Sequence, residues 1–386
     1  MAIFGSGTTA KVLEDLDGVN GYSGQITITD NLYDVATLLD IRTKAEGKIV
    51  LQKAAISTLE GDAAALTTAL DGIKYTGAIK FTDTPVLTAN IDAALQLTTG
   101  KVTATVAGSA ADLVEALTPS ATAKDALTLT VTGTATAAEL KALDAKTSVI
   151  VNASNVTDIK GTAADVKTVL KADEAATINL KANVAVEVTG TVSAADVNTI
   201  AKATDGKVTA TVAAGTAASL KAALTDVTAT DALKLKVTGT ATVADLLALD
   251  GKTSIAVDAK SVTAITGTAA EFATLNTANV DYSSTVAFTF TGTIAAADVN
   301  AANGLNDIAA QTFGKVTATV EGSATALQAL TTASTDAITV KVTGTTATAA
   351  QLLAIDKVTS VVVDAKAVKT ITVPTGEDVA DLATVL

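Results

Sequence analysis

The sequence predicts an α/β solenoid, in which strand–turn–short-helix repeats of about 22–32 residues stack with a parallel sheet on one side, as in leucine-rich repeats. Three observations predict it. The heptapeptide GKVTATV occurs three times, beginning at Gly100, Gly206 and Gly314. A step of the form apolar–Thr–Gly–Thr, or a close variant, recurs about every 22–30 residues. The chain is 48% hydrophobic but only 3% aromatic, which suits a thin core that repeats without growing.

Each repeat is predicted to begin with a half-buried strand. In the stretch from Leu127 to Val131, LTLTV, apolar and polar residues alternate, which is the period of a strand with one buried face. The glycine of the following step is then expected to turn the backbone sharply. Two such strands joined through a helix must run parallel.

Each repeat is predicted to continue with a short, capped helix. Thr or Ser is followed three residues later by an acid or Gln, the capping-box pattern, and apolar residues follow at helical spacing. Acids that recur at this helix position are interpreted as capping residues in preference to catalytic acid–base pairs. The predicted capping pairs are Thr136 with Glu139, Thr162 with Asp165, Ser193 with Asp196, and Thr268 with Glu271.

The longer period of about 106 residues organises the chain. We predict divergent solenoid repeats over 1–99, a first super-repeat over 100–205, a second over 206–313 and a partial third over 314–386, all in one continuous solenoid. Asp125, Asp231 and Asp336 occupy equivalent places before a strand in the three copies, and we interpret them as polar turn residues.

Composition argues against several classes of function. The chain has no His and no Cys, so triads, thiolate chemistry and zinc sites built on these residues are excluded, and we expect no enzyme. Its net charge of −13 and its lack of a basic cluster argue against nucleic acid as a partner. No window of 18 uninterrupted apolar residues is present, so we expect no membrane span.

No cofactor is expected, although calcium is possible. Asp15, Asp17 and Asn20 place oxygen ligands in the glycine-containing loop DLDGVNG. Their spacing does not follow the EF-hand pattern, and the GGxGxD calcium repeat is absent. A polar turn is the alternative interpretation.

Outward-facing threonines give a second possible surface. Pairs such as Thr103 with Thr105 and Thr317 with Thr319 are typical of the flat faces of ice-binding proteins. Charged residues at Glu187, Lys234 and Lys236 interrupt a regular threonine array. Threonine is also simply a favourable strand residue.

Neither end has the polar character of a solenoid cap. We therefore expect Ile3 and Phe4 at one end, and Val385 and Leu386 at the other, to be assembly surfaces; alternatively, the chain is a piece of a longer solenoid. No classical signal peptide is visible, which favours non-classical or type I export if the protein leaves the cell.

The recurring TGTAA steps between Ala-, Thr-, Val- and Leu-rich segments resemble the Thr/Ala-rich repeats of bacterial S-layer proteins and repetitive adhesins. The resemblance implies an extracellular structural role, often supported by calcium. The predicted function is therefore a self-assembling surface protein of a filament, sheath or S-layer, forming a homo-oligomer or homopolymer by head-to-tail contact. The alternative is an adhesin-type module that binds a cell-surface glycan or ice through the Thr-lined sheet face.

Overall fold

A computed structural model describes residues 5–52, 58–86, 88–118 and 120–373. Parallel β-sheets alternate with helices along the chain, so the protein has an α/β fold, and this part of the prediction is confirmed. The chain divides into two compact units. Unit 1 comprises Met1–Thr189 with Ala203–Lys207, and unit 2 comprises Gly190–Lys202 with Val208–Leu386.

Strands of unit 1 pair in parallel and largely in chain order, because most of them are followed by a helix that returns the chain to the same edge. β1, β2 and β3 form one sheet. In the next sheet, β4 to β8 pair successively, and both β9 and residues Ala185–Val188 of β10 lie beside β8. The bounds are β1 Ser6–Gly7, β2 Ile26–Ile28, β3 Ile49–Leu51, β4 Leu59–Gly61, β5 Ile79–Phe81, β6 Val102–Ser109, β7 Ala126–Thr136, β8 Val151–Gly161, β9 Ile178–Leu180 and β10 Ala185–Val192.

Unit 2 has the same type of pairing. β11 pairs with β12, and β13, β14, β16, β17 and β18 pair successively with β15 beside β14. β19 pairs with β20. The bounds are β11 Val208–Val212, β12 Ala232–Lys234, β13 Lys236–Thr242, β14 Val257–Gly267, β15 Val280–Tyr282, β16 Ala287–Ala295, β17 Val316–Gly322, β18 Ala337–Val342, β19 Thr346–Thr348 and β20 Thr370–Thr372.

The helices are short and follow the strands. We call one strand with its following helix a segment. The bounds are α1 Thr9–Asp15, α2 Val35–Lys44, α3 Ala63–Ala69, α4 Thr88–Leu95, α5 Ala110–Leu117, α6 Ala137–Asp144, α7 Ala163–Glu174, α8 Ala194–Lys202, α9 Ala217–Ala223, α10 Val243–Asp250, α11 Ala269–Leu275, α12 Leu305–Ala309, α13 Ala324–Leu327 and α14 Ala349–Asp356, with a 3₁₀ turn at Ala296–Asp298.

The core of each segment lies between the strand and its helix. In the segment that starts with β7, Leu127, Leu129 and Val131 are fully buried, as are Leu140 and Leu143 on α6. These are the positions that the alternation and the helical spacing select. The small core admits few aromatic rings, and those of unit 2 cluster: Phe272 lies 5.0 Å from Phe288 and 4.5 Å from Phe290 between ring centroids.

Glycines of several steps lie inside strands, and this differs from the sharp turn that the sequence predicts. Gly133, Gly239 and Gly292 have φ of +83°, +80° and +80°. The pairing register shifts at or around each of them. Glycine adopts this conformation without a steric penalty, so the strand forms a bulge and then continues to the helix N-cap.

Candidate functional site: links between segments and the outer sheet face

The predicted caps form in two ways that depend on the length of the acidic side chain. The Thr136 hydroxyl accepts from the Glu139 N–H at 3.2 Å, and the Glu139 carboxylate accepts from the Thr136 N–H at 2.7 Å, which completes a capping box. Thr268 and Glu271 form the same box.

The aspartate pairs cap differently. The Thr162 hydroxyl accepts from the Asp165 N–H at 3.2 Å and donates to the Asp165 carboxylate at 2.9 Å. Ser193 and Asp196 repeat both bonds, at 3.1 and 2.9 Å. Aspartate is one methylene shorter than glutamate, so within the cap its carboxylate binds only the hydroxyl. Glutamate reaches back to the N-cap N–H, and Glu271 accepts from the Thr268 hydroxyl as well.

Three buried aspartates link successive segments. The Asp125 carboxylate accepts from the N–H of Val102 on the preceding strand and from the N–H of Thr122, each at 2.9 Å. Asp231 and Asp336 repeat the arrangement at 2.8 Å for every bond, with donors Val208 and Thr228, and Val316 and Ala333. These side chains are at most 5% exposed. Their position before a strand was predictable, whereas their role between strands was not.

Buried threonines extend the link to the following segment. The Thr147 hydroxyl accepts from the Leu127 N–H at 3.0 Å and donates to the Leu127 carbonyl at 2.8 Å. Ser148 donates its hydroxyl to the Asp125 carbonyl at 2.9 Å. Thr253 with Ser254, and Thr359 with Ser360, make the same bonds to the residues around Asp231 and Asp336. We call each of these arrangements an Asp–Thr link.

The repeated glycine of GKVTATV allows close approach of the neighbouring segment. A Cβ on Gly100 would lie 2.1 Å from the Gly77 carbonyl oxygen, and one on Gly314 would lie 2.3 Å from that of Val286. Both distances are far below a van der Waals contact, so only glycine fits without a shift of the backbone. The rest of the heptapeptide alternates buried Val and Ala with outward Thr.

Threonines form registered rows on the outer sheet face of unit 2. One row runs across four strands in the order Thr242, Thr266, Thr289 and Thr317. A second runs Thr293, Thr319 and Thr339. Beyond it, Glu321 and Lys341 form an ion pair at 3.5 Å, and in unit 1 Glu187 pairs with Lys160 at 2.6 Å, so charged residues do interrupt the threonine array.

Ion pairs also connect successive helices. Lys141 of α6 pairs with Asp165 of α7, and Lys221 of α9 pairs with Asp245 of α10 at 2.7 Å. The lysine lowers the pKa of the aspartate in each pair, because its ammonium group stabilises the carboxylate. Both aspartates are also N3 residues of their helices, so one carboxylate serves the cap and the neighbouring segment.

The predicted calcium ligands lie near the end of α1. Asp15 ends this helix and forms an ion pair with Lys11, while Asp17 and Asn20 are exposed. Within the described ranges, no group of three or more His, Cys, Asp or Glu residues is arranged to hold a metal ion. Calcium binding by these three residues stays a prediction.

The predicted assembly residues Ile3, Phe4, Val385 and Leu386 lie outside the residues that the structure describes. Elsewhere, the side chains of Phe313 and Val362 are 92% and 89% exposed. Neither residue belongs to the repeat pattern, but both stand out when the copies are aligned. Phe313 directly precedes the third GKVTATV heptapeptide, whereas Thr99 and Asp205 precede the first and the second.

In the described part of the chain, no helix has both the length and the apolarity needed to cross a membrane. Comparison with family models, with curated proteins and with solved structures finds no match to this chain.

Proposed function

We propose that this chain is a structural protein, an α/β solenoid of leucine-rich-repeat-like architecture that assembles with copies of itself outside the cell or at its surface. Export by a non-classical or type I route is part of the proposal. Head-to-tail homopolymerisation into a filament, sheath or S-layer is the expected form of assembly.

The Asp–Thr links carry the proposal. The positions that are identical in all three copies include glycines that admit a neighbouring backbone, and aspartates and threonines that bond to it. A chain whose repeated residues join successive segments has the properties of a scaffold. Parallel pairing in chain order supports the solenoid, since it places each segment beside its neighbours in sequence.

Exposed apolar side chains support self-association. Burial of a phenylalanine of this exposure at a contact between copies would contribute roughly 1.5–3 kcal/mol. The aligned copies supply conservative replacements at both positions, namely Thr99 for Phe313 and Ala256 for Val362.

Electron microscopy of negatively stained protein, together with light scattering, tests the proposal. We expect ordered filaments or sheets. If Asp15, Asp17 and Asn20 bind calcium that supports assembly, these form with millimolar calcium and are lost with chelator; otherwise they form under both conditions. The double variant Phe313→Thr with Val362→Ala should assemble only at about tenfold higher concentration or more. A protein that stays monomeric under all these conditions would contradict self-assembly.

The threonine rows favour a second candidate function, recognition of ice or of a glycan by the outer sheet face. In this row Thr266, Thr289 and Thr317 offer hydroxyls at the regular spacing of adjacent strands, about 4.8 Å, whereas the Thr242 hydroxyl caps α10. Inhibition of ice recrystallisation is the direct test for ice. Thr289→Lys should abolish the inhibition, whereas Thr274→Lys on the helix side should leave it unchanged. Equal activity of the two variants would exclude this face.

A further inference from the structure

Unit 2 contains an open groove of about 520 Å³ on its surface. Ile255, Ala214 and Ala256 contribute its apolar surface, and the small alanines leave it room, whereas the lining residues Val212 and Leu235 are almost fully buried. The lining is mostly apolar and contains a small number of polar groups, as in sites that bind small molecules.

A one-residue insertion accounts for part of the groove. The buried Leu113 follows Val106 by seven positions, whereas Leu220 follows Val212 by eight positions in the second copy. β6 extends to Ser109, but β11 ends at Val212. The inserted residue therefore ends the strand early, and Ala214 lies in the irregular stretch that follows.

The neighbouring strand is interrupted at the same level. β7 is continuous over Ala126–Thr136, whereas the aligned stretch is divided at Leu235 into β12 and β13. Ala256 occupies the place of Ile150 in the first copy and of Val362 in the third. The smaller side chain leaves open a space that a larger one would occupy.

Two lysines stand at the groove where the first copy has threonines. Lys234 and Lys236 replace Thr128 and Thr130. Both lysines are exposed, and neither forms an ion pair with any of the described carboxylates. Two neighbouring cations beside an apolar floor define the charge of a complementary ligand.

Hydroxyl and carboxylate groups complete the lining. Thr191 and Thr211 offer hydroxyls, and Asp258 offers a carboxylate that already accepts from the Lys260 N–H at 3.1 Å. A ligand that fits this set has negative charges for the lysines, hydroxyls for the threonines and Asp258, and a face of C–H groups for the alanines.

We propose that this groove binds a short segment of an acidic oligosaccharide, whose carboxylates or sulfates pair with Lys234 and Lys236. Sugar rings combine hydroxyls with apolar C–H faces, and uronate or sulfated sugars add the negative charge. A fatty acid would satisfy the lysines and the apolar floor but would make no hydrogen bonds to the threonine hydroxyls or to the free oxygen of Asp258. The proposal is independent of self-assembly, because a groove within unit 2 is present in a monomer and in an assembly alike.

Isothermal titration calorimetry on dilute protein, checked as monomeric or assembled by sedimentation, tests this proposal. The probes are a galacturonate tetrasaccharide, a sulfated tetrasaccharide with a neutral backbone, the neutral maltotetraose, and laurate. In 0.15 M salt we expect saturable binding of an acidic tetrasaccharide with one site per chain and none of maltotetraose. The two acidic probes distinguish carboxylate from sulfate as the recognised group.

Matched variants follow from the aligned copies. Lys234→Thr with Lys236→Thr installs the residues that the first copy already carries, and it should lower the affinity about tenfold or more. Ala256→Ile should fill the groove and lower it similarly while keeping both lysines. Thr128→Lys with Thr130→Lys adds the same charges where no comparable insertion occurs, and it should create no second site. Circular dichroism establishes that each variant is folded.

Three outcomes would overturn the proposal. Unchanged affinity in the lysine double variant or in Ala256→Ile would place the ligand elsewhere. A second site created by the Thr128 and Thr130 variant would show simple charge attraction. Binding of laurate without the acidic sugars would make the groove a site for anionic amphiphiles. None of these outcomes bears on assembly, which the sedimentation measurement reports separately.

Discussion

Gly314 illustrates how a single residue type explains the repeated heptapeptide. Its Cα lies against the backbone of the preceding segment, and alternating buried Val and Ala follow it in β17. The sequence shows that this glycine recurs, but the reason lies in a carbonyl more than twenty residues away. Repetition therefore identified the position, and only the packed structure identified the constraint.

We expect Gly314→Ala to destabilise the protein by about 1–3 kcal/mol, because the new Cβ would overlap the Val286 carbonyl oxygen. Gly251→Ala is the matched control. Gly251 has φ of −66°, and the added Cβ would lie 3.7 Å from the carbonyl oxygens of Leu247 and Ala248, an ordinary van der Waals contact, so its substitution should be neutral or slightly stabilising. Urea unfolding of both variants checks the difference, and equal stabilities would contradict the close-approach argument.

Asp231 is a second residue that joins one segment to the preceding one. Asp231→Ala should destabilise the protein by about 2–4 kcal/mol, since it leaves the Val208 and Thr228 N–H groups without an acceptor in a buried place. Thr253→Val should cost less, because Ser254 still bonds to the Asp231 carbonyl. Thermal and urea unfolding measure both. A cost below 1 kcal/mol for Asp231→Ala would mean that water replaces the carboxylate.

At the scale of elements, the sequence predicted whether a stretch is a strand or a helix better than it predicted where that element begins and ends. Alternation and capping patterns located β7 and α6 with their buried faces, because both patterns depend on neighbours within a few residues. The bulge at Gly133 could not be distinguished from a turn, since glycine permits both and the choice depends on pairing with β8. The interruption at Leu235 could not be predicted from its own strand either, because the inserted residue lies after β11, in the neighbouring segment.

Helix-to-helix ion pairs make the helix side sensitive to acid. The Asp245 carboxyl has a lowered pKa in the folded protein, so its contribution is present above its ordinary value of 3.8 and is lost as pH falls through the folded pKa. Asp245→Asn should therefore reduce stability at pH 7 by a few tenths to about 1 kcal/mol, and the difference from the parent protein should shrink below pH 3.8.

Urea unfolding of the parent and the Asn variant at pH 7, 5, 4 and 3 measures this difference. Lys221→Met should show the same dependence, because it removes the partner of the carboxylate. A difference that stays constant over this range would attribute the effect of the substitution to the helix cap instead.

At the scale of the molecule, charge opposes the proposed assembly. With a net charge of −13, copies repel each other, and salt screens that repulsion over about 10 Å at 0.1 M. We expect light scattering and sedimentation to report more assembly at 0.5 M than at 0.02 M sodium chloride. The opposite dependence would indicate contacts between complementary charges in place of apolar ones.

The Asp–Thr links also determine which length of chain can be removed or duplicated. In each link the aspartate carboxylate accepts from an N–H of the preceding segment, and its carbonyl accepts from a hydroxyl of the following segment. Removal of a single segment therefore leaves buried groups without partners. Joining Thr99 directly to Gly206 would instead remove 100–205 while supplying an equivalent residue at every link, since Val208 and Asp231 take the places of Val102 and Asp125. The block of about 106 residues is thus the module by which such a protein can be shortened, lengthened or recombined through its identical heptapeptides.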